Sequence, residues 1–264
     1  MDTVSVIIPN YNRSGTLIRA VKSVLAQHLP VLEILVCDDG STDDSHEQIK
    51  ALSNPLVRWI DCGRNGRPAI PRNTGIKHSK GDWLAFLDND DEWLPEKIEE
   101  QLRVATEKKS FAICTNAMRI RTDGMKDLFF QTKDAVLSFD SMISTNGVIC
   151  SSMIIHRSLL EKTIGFPEAR QLRALEDYAL WLRISCLHSI QLLARPLVNY
   201  YDDTENSIRK DDLSHWKQRE LVFADLFKWM KSIGINKDLQ IKAKQELHQA
   251  RISRLKTTVK KIFR

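Results

Sequence analysis

The sequence predicts an α/β fold built on a mostly parallel sheet, and three observations carry that prediction. Short β-branched runs alternate with stretches of helical periodicity through residue 105. Three of these runs end in clusters of carboxylates and amides, at the edge where open α/β sheets bind their ligands. The 264 residues are 42% hydrophobic and 28% charged, enough to bury a sizeable core in one large domain or a domain with an appendage.

In chain order, residues 4–9 (Val-Ser-Val-Ile-Ile-Pro) read as a buried strand ended by proline. Apolar residues at 17, 18, 21, 24 and 25 have helical spacing, with Ser14 as the cap. A second strand, 32–37, runs into Asp38-Asp39-Gly40-Ser41, and a helix over 43–52 starts at Ser41 or Thr42. Residues 57–60 form a third strand. A loop rich in glycine and arginine then leads to a helix over 69–78 and a fourth strand over 83–87. Pro95 suits the first turn of a helix through residue 105, where its missing N–H is not needed. This alternation implies right-handed crossovers.

The pattern changes after residue 110. Residues 111–121 and 127–132 read as strands around a Thr122-Asp123-Gly124 turn. A strand over 148–155, a helix from Ser158 and an apolar helix over 177–187 follow, then short strands at 192–194 and 198–201 flanking Pro196. From Leu213 the chain is helical and increasingly basic. The expected organisation is one domain over 1–210, with halves 1–110 and 111–210, and a helical basic extension over 211–264.

Charge is unevenly placed. Residues 242–264 carry eight basic side chains against Glu246 alone, while the net charge of the whole chain is only +5. Within that segment Ile252, Leu255, Val259, Ile262 and Phe263 recur at helical spacing. Such a helix either docks on an anionic membrane surface or packs on the domain with a solvated basic face. The nearly neutral body carries no reading motif, which argues against nucleic acid. No apolar run approaches the ~20 residues of a membrane span, and the first residues lack a signal-like basic and apolar sequence. Five widely spaced cysteines without a Cys-x-x-Cys pair predict neither a disulfide framework nor a zinc site, and point to a reducing cytoplasm.

The chemistry concentrates in three clusters: Asn10-Tyr11-Asn12-Arg13, Asp38-Asp39-Gly40-Ser41 and Asp88-Asn89-Asp90. Each alone reads equally as a turn or a helix cap. Three at one sheet edge are harder to explain that way. Asp88 and Asp90, two apart on an extended segment, point to the same side. Paired oxygen ligands suit Mg²⁺ or Mn²⁺, which bind substrate phosphates at their remaining positions. With Asp91 and Glu92 beside them, these carboxylates repel one another unless a cation or strong donors offset the charge.

These stretches resemble glycosyltransferase family 2. The resemblance rests on Val4-Ser5-Val6-Ile7-Ile8-Pro9-Asn10-Tyr11-Asn12, Val36-Cys37-Asp38-Asp39-Gly40-Ser41-Thr42-Asp43, Pro71-Arg72-Asn73-Thr74-Gly75 and Gly81 to Trp93. It continues in Gly165-Phe166-Pro167-Glu168 and in Glu176-Asp177 with the apolar residues that follow. It implies a GT-A fold: a Rossmann-like nucleotide-sugar half over 1–110 with a mixed sheet, an acceptor half over 111–210, and the helical tail. It also implies an inverting, metal-dependent transfer of one sugar from a nucleotide-sugar, usually a UDP-sugar, to an acceptor hydroxyl in surface polysaccharide or glycolipid synthesis. Tyr11 would then stack on the base, Pro9 line its site, and Asp39 accept a hydrogen bond from it, with Asp38 shaping the turn or supporting the site. Arg72 would serve the nucleotide. Asp90 would hold Mn²⁺ or Mg²⁺, with Asp88 supporting the ion or contacting sugar or ribose, and Asp177 would be the general base. Glu176 would orient Asp177 or contact the acceptor, while Asp91 and Glu92 would serve the helix that Pro95 opens.

Two positions depart from the family pattern: Pro71 stands where alanine is common, and Pro167 where the family has aspartate. The Gln-x-x-Arg-Trp signature of processive synthases is absent, so single-sugar transfer is expected. A lipid-linked acceptor would place the enzyme at the inner face of a membrane. A third metal ligand from Asp202, Asp203 or Glu205 is left open. So is a non-catalytic sugar-nucleotide-binding protein of the same fold. A dinucleotide oxidoreductase would need a Gly-x-Gly-x-x-Gly turn after the first strand, where Pro9-Asn10-Tyr11-Asn12 stands. An aspartate-nucleophile phosphatase fits poorly, because Glu92 stands where its motif expects threonine or valine.

Overall fold

The computed structural model describes residues 2–203 and 213–262, with side chains as far as Ile252. Four parallel strands, β1 (Val4–Asn10), β2 (Glu33–Asp38), β3 (Val57–Asp61) and β4 (Trp83–Phe86), lie in the order β3-β2-β1-β4. They are joined by α1 (Ser14–Leu25), α2 (Ser45–Ala51) and α3 (Ala69–His78). Ile7, Ile8, Leu35, Val36, Leu84 and Phe86 are all buried, as continuous apolar runs become when helices cover both faces of a parallel sheet. In α1, Leu17, Ala20, Val21 and Val24 form the buried stripe. Gly75 lets α3 lie close on β1, since a Cβ there would sit 2.5 Å from Ile7 Cγ2.

Beyond β4 the sheet becomes mixed. Strand β5 (Glu92–Trp93) precedes α4 (Lys97–Lys108), and β6 (Ala112–Arg121) is followed by β7 (Lys126–Leu128), β8 (Ala135–Leu137) and α5 (Phe139–Ser144). Then come β9 (Ile154–His156), α6 (Arg157–Leu160), α7 (Glu176–Leu187) and β10 (Ile190–Asp202). The short β9 runs antiparallel to both β4 and β6, and so joins the two halves into one ten-stranded sheet. β10 runs parallel to β6 and antiparallel to β5 and β8.

Several expectations are corrected here. Ser14 is the first helical residue rather than a cap, and its amide donates to Asp43 Oδ2 at 3.0 Å. Ser41 and Thr42 do not start α2, which begins at Ser45. The two strands expected around Pro196 are one strand, β10, bulged at Pro196 because proline cannot donate to the ladder. Residues 148–155 are mostly a tight turn at Cys150–Ser152 ahead of β9.

Two C-terminal helices, α8 (His215–Ser232) and α9 (Lys237–Ile262), complete the structure. Val222, Phe223, Leu226, Trp229 and Met230 of α8 join the same core as α7, and Arg183 donates to Asp225 at 2.7 Å. Ala243, Leu247 and Ala250 bury the first turns of α9, so this part of the basic segment packs on the body. Ile252 is exposed, and the side chains of Leu255, Val259, Ile262 and Phe263 lie outside the described residues. Among the described residues, no helix is long and apolar enough to cross a membrane.

Candidate active site

The carboxyl ends of β1, β2 and β4 open on a cleft of about 440 Å³, with the start of α7 and the end of β10 also in its wall. Its lining includes Pro9, Tyr11, Asp39, Arg72, Asp88, Asp90, Glu176 and Asp177, so all but one of the sequence-predicted site residues share it. Asp38 is the exception. It accepts from the amides of Gly40 at 3.1 Å and Ser41 at 2.7 Å and from Asn10 Nδ2 at 3.0 Å, which closes the turn after β2. Asn12, at φ 47°, accepts the Thr42 amide at 2.7 Å, while its own amide donates to Ser41 Oγ at 2.9 Å. The first two clusters are thereby stitched into one rigid edge.

Asp39 turns the other way, into the cleft. Oδ1 accepts the Asn65 amide at 2.8 Å, and Oδ2 accepts the Gly66 amide at 2.7 Å and the Arg64 guanidinium. Arg64 in turn sits over the Tyr11 ring, 3.7 Å from its centroid. The loop between β3 and α3 thus supplies all three of these donors to Asp39.

At the other end, Asn89 donates to Asn10 at 2.7 Å and the Asp88 amide donates to Ser151 Oγ at 3.1 Å, fixing the Asp88–Asp90 turn. Arg19 donates to the Asp90 carbonyl at 2.7 Å. Burial first, and then the Asp88 charge, raise the Asp90 carboxyl above its ordinary range, with Arg13 and Arg19 opposing. Asp91 and Glu92 do not serve α4 as expected. Asp91 is buried and accepts from Ser151 Oγ at 2.5 Å and the Tyr201 amide at 3.0 Å. Burial followed by the Asp90 and Asp88 charges pushes it well up. Glu92 pairs with Arg19 at 2.9 Å and accepts from the Tyr201 hydroxyl at 3.0 Å. Both side chains brace the acidic turn against β10.

The opposite wall starts at α7. Glu176 and Asp177 lie in its first turn and both are buried. Glu176 Oε1 accepts from Arg72 Nη1 at 2.7 Å, while Arg72 Nη2 donates to Asp88 at 2.6 Å. Arg72, only 5% exposed, is therefore a bridge between the acidic turn and α7. Burial raises the Glu176 carboxyl and the neighbouring arginine opposes the shift. Its Oε2 is buried without a hydrogen-bond partner among the described residues. Asp177 Oδ1 accepts the Tyr178 amide at 2.8 Å, and the Tyr178 hydroxyl holds Met142 O at 2.7 Å, which fastens the helix start. Ala174 lines the cleft at φ 63°, a strained conformation for alanine two residues before the pair.

A divalent cation fits the acidic turn through its donor chemistry. Asp90 is a half-buried carboxylate beside a second one, a pairing that a cation offsets. No group of three metal-ligating side chains occurs among the described residues. Two carboxylates suffice for Mg²⁺ or Mn²⁺ when water and substrate phosphates complete the shell. Asp202 and Asp203 line the cleft, and Glu205 lies outside the described residues. Arg19, Ser151, Tyr200 and Tyr201 shape the site without any sequence signal, because only the face of α1, the turn at Cys150–Ser152 and the register of β10 bring them there.

The comparisons with known proteins agree with this architecture. The sequence model of the family described as Glycosyl transferase family 2 matches residues 5–163. Two Escherichia coli proteins, WfaP and WfgD, are each described as a UDP-Glc:alpha-D-GlcNAc-diphosphoundecaprenol beta-1,3-glucosyltransferase. WfaP is 32% identical over 89% of this chain and 88% of its own length, and WfgD is 27% identical over 84% and 85%. Among solved structures, S. aureus TarS 1-349 in complex with UDP-GlcNAc superposes with a TM-score of 0.72 at 19% identity, covering 94% of this chain and 71% of that one. At that identity the likeness establishes the fold, which is the GT-A arrangement with a C-terminal helical region.

Proposed function

The chain belongs to glycosyltransferase family 2, and from that premise we propose that it is an inverting, metal-dependent enzyme. It transfers one hexosyl or N-acetylhexosaminyl unit from a UDP-sugar to a hydroxyl of a lipid-linked carbohydrate, in the synthesis of a surface polysaccharide. One observation carries this reading: Tyr11 and Asp39, Asp88 and Asp90, and Asp177 all face a single cleft. The descriptions of WfaP and WfgD, with a UDP-glucose donor and a diphosphoundecaprenol acceptor, support the choice of substrates.

Tyr11 offers an aromatic face to the base and Asp39 accepts a base N–H. Asp90, with Asp88, would hold Mn²⁺ or Mg²⁺ against the diphosphate. When bound, the ion supplies charge neutralisation for the departing nucleoside diphosphate. Asp177 takes the proton of the acceptor hydroxyl as its oxygen attacks the anomeric carbon. The bond from that carbon to the diphosphate oxygen breaks on the opposite side, and the centre inverts. Arg72 holds Asp88 and Glu176 at fixed positions across the cleft.

We assign the donor to residues 1–110, the acceptor to 111–210, and an accessory role to the extension 211–264. We place the enzyme in the cytoplasm, at the inner face of a membrane, with residues 253–264 as the basic contact. Because Ala243, Leu247 and Ala250 are buried, the informative truncation begins at residue 253. Loss of binding to anionic liposomes on that truncation supports the contact, and unchanged binding removes it.

A donor screen tests the main reading. Nucleoside diphosphate release is followed with each sugar nucleotide, a lipid-linked acceptor and Mn²⁺ or Mg²⁺, and then with EDTA. Release that depends on a UDP-sugar and stops with EDTA is expected. Binding without turnover for every donor would instead favour a non-catalytic sugar-nucleotide-binding protein.

A further inference from the structure

Arg64 occupies a telling position. Its guanidinium stands over the Tyr11 ring and donates to Asp39, the two side chains assigned above to the nucleobase. Guanidinium and a pyrimidine imide share the features that such a site reads: a flat delocalised face and an N–H at its edge. We infer that Arg64 is an internal stand-in for the base of the donor nucleotide. It is a latch that fills the subsite when no donor is bound, and its side chain must leave before the base enters. The inference rests on the reading of Tyr11 and Asp39 as the base subsite.

The hydrogen bonds around Asp39 allow a one-for-one exchange. The amides of Asn65 and Gly66 hold the carboxylate from the backbone, at 2.8 and 2.7 Å, and do not depend on the Arg64 side chain. Arg64 adds one further N–H to Oδ2. When it leaves, that acceptor position is taken by an imide N–H such as that of uracil, and the base face replaces the guanidinium on Tyr11. The carboxylate stays where it is throughout, so the subsite is kept in its binding geometry.

The loop is built so that only the side chain need move. Gly63 and Gly66, at φ 63° and 70°, bracket Arg64 and Asn65 in a conformation that other residues resist. Gly40 packs against the Arg64 backbone, where an added Cβ would lie 3.1 Å from Arg64 N and Cβ. The Arg64 side chain itself is 50% exposed, against 7% for Asp39, and so has an open path into solvent.

The sign of the effect separates this latch from other roles. A contact made only in the empty cleft lowers apparent affinity by the fraction of molecules that hold it. Removing the side chain should tighten UDP binding on the order of tenfold, since a half-exposed ion pair and a cation–π contact are each modest. A clamp closing over the outer face of the base, or a ligand for the diphosphate, would give the opposite sign.

The test is calorimetric titration of UDP, and separately of inorganic pyrophosphate, both with Mn²⁺, into the full chain and into Arg64→Ala. The latch predicts tighter UDP binding by Arg64→Ala and unchanged pyrophosphate binding. Unchanged or weaker UDP binding overturns it, as does weakened pyrophosphate binding. Adding Asp39→Asn to Arg64→Ala tests the underlying reading without competition from the latch. If the double variant binds UDP as tightly as Arg64→Ala, the base subsite itself is wrongly placed, whatever Arg64 does. Arg64→Gln, which keeps an N–H donor and the loop backbone, should fall between the wild type and Arg64→Ala. Equal affinity of Arg64→Gln and the wild type would count against the latch.

Discussion

The two acidic ends of the cleft are finished in opposite ways. Asp39 is satisfied by two backbone amides and an arginine. Asp90 is held beside Asp88 and Asp91, forms no ion pair among the described residues, and is raised by burial and by its neighbour's charge. The difference reflects what each end would receive. A site for a neutral N–H can be satisfied in advance by the protein's own donors, because exchanging one hydrogen bond for another is nearly balanced. A site for a cation filled in advance by a lysine or arginine would be blocked, so Asp90 is left without an ion pair among the described residues while Arg72 pairs with Asp88 alone of the two.

The largest effect should come from Arg72, which ties the acidic turn to α7. Arg72→Met leaves Asp88 and Glu176 without their shared cation, and breaking a buried pair costs about 3–5 kcal/mol. Urea unfolding at pH 7.5 measures it. The loss should shrink in acid. Glu176 has a raised folded value, so its protonated form stabilises the fold below its ordinary 4.5 and that contribution is lost as pH rises through the raised value. Removing Arg72 raises it further and widens the window. A loss below about 1 kcal/mol, or one independent of pH, would show that the bridge is not what joins the two walls.

Next is the residue assigned to chemistry rather than to either end. Asp177→Asn should lower turnover about 10³-fold, as loss of a general base does, with UDP affinity unchanged. Single-turnover kinetics and calorimetry on one preparation check both parts. Intact turnover would move the base elsewhere, and a parallel loss of UDP affinity would assign Asp177 to the donor.

The smallest effect provides a control outside the cleft. Lys97 is fully buried, 2.7 Å from Gln101 Oε1 and 3.9 Å from the Trp93 ring centroid, and burial drives its pKa well below 10.5. A depressed folded value means stability that is present above 10.5 and is lost as pH falls toward that value. Relative to Lys97→Met, the wild type should therefore gain stability between pH 7 and 9, by at most about 1.4 kcal/mol per pH unit. A constant difference across that range would show that burial does not control this amine.

The two halves of the chain differed as much in legibility as in structure. In the parallel half, local signals and tertiary structure agree: β-branched runs became β1–β4, and the expected helix over 69–78 is α3, Ala69–His78. In the mixed half they diverge. β5 is two residues long and exists through its pairing with β10, and β8 likewise depends on β10, so neither has a local pattern to read. Pro196 reads as a break, yet β10 passes through it because β6 tolerates a bulge there. For the same reason the first-row residues Tyr11, Asp39, Asp88, Asp90 and Asp177 were legible from motifs. Ser151, Tyr201 and Arg19, which hold that row in place, depend on long-range register. Arg64 was visible as a charge, but its stacking on Tyr11 depends on how a glycine-bracketed loop folds back over β2.

The contrast between the two ends is tested most directly by the Mn²⁺ dependence of UDP binding in the wild type and in Asp90→Asn, with uridine titrated alongside. The account predicts that Mn²⁺ strengthens UDP binding to the wild type and not to Asp90→Asn, while uridine binds both equally. Retained Mn²⁺ enhancement in Asp90→Asn, or loss of uridine binding together with that of UDP, would contradict the division of the cleft into a base end and a metal end.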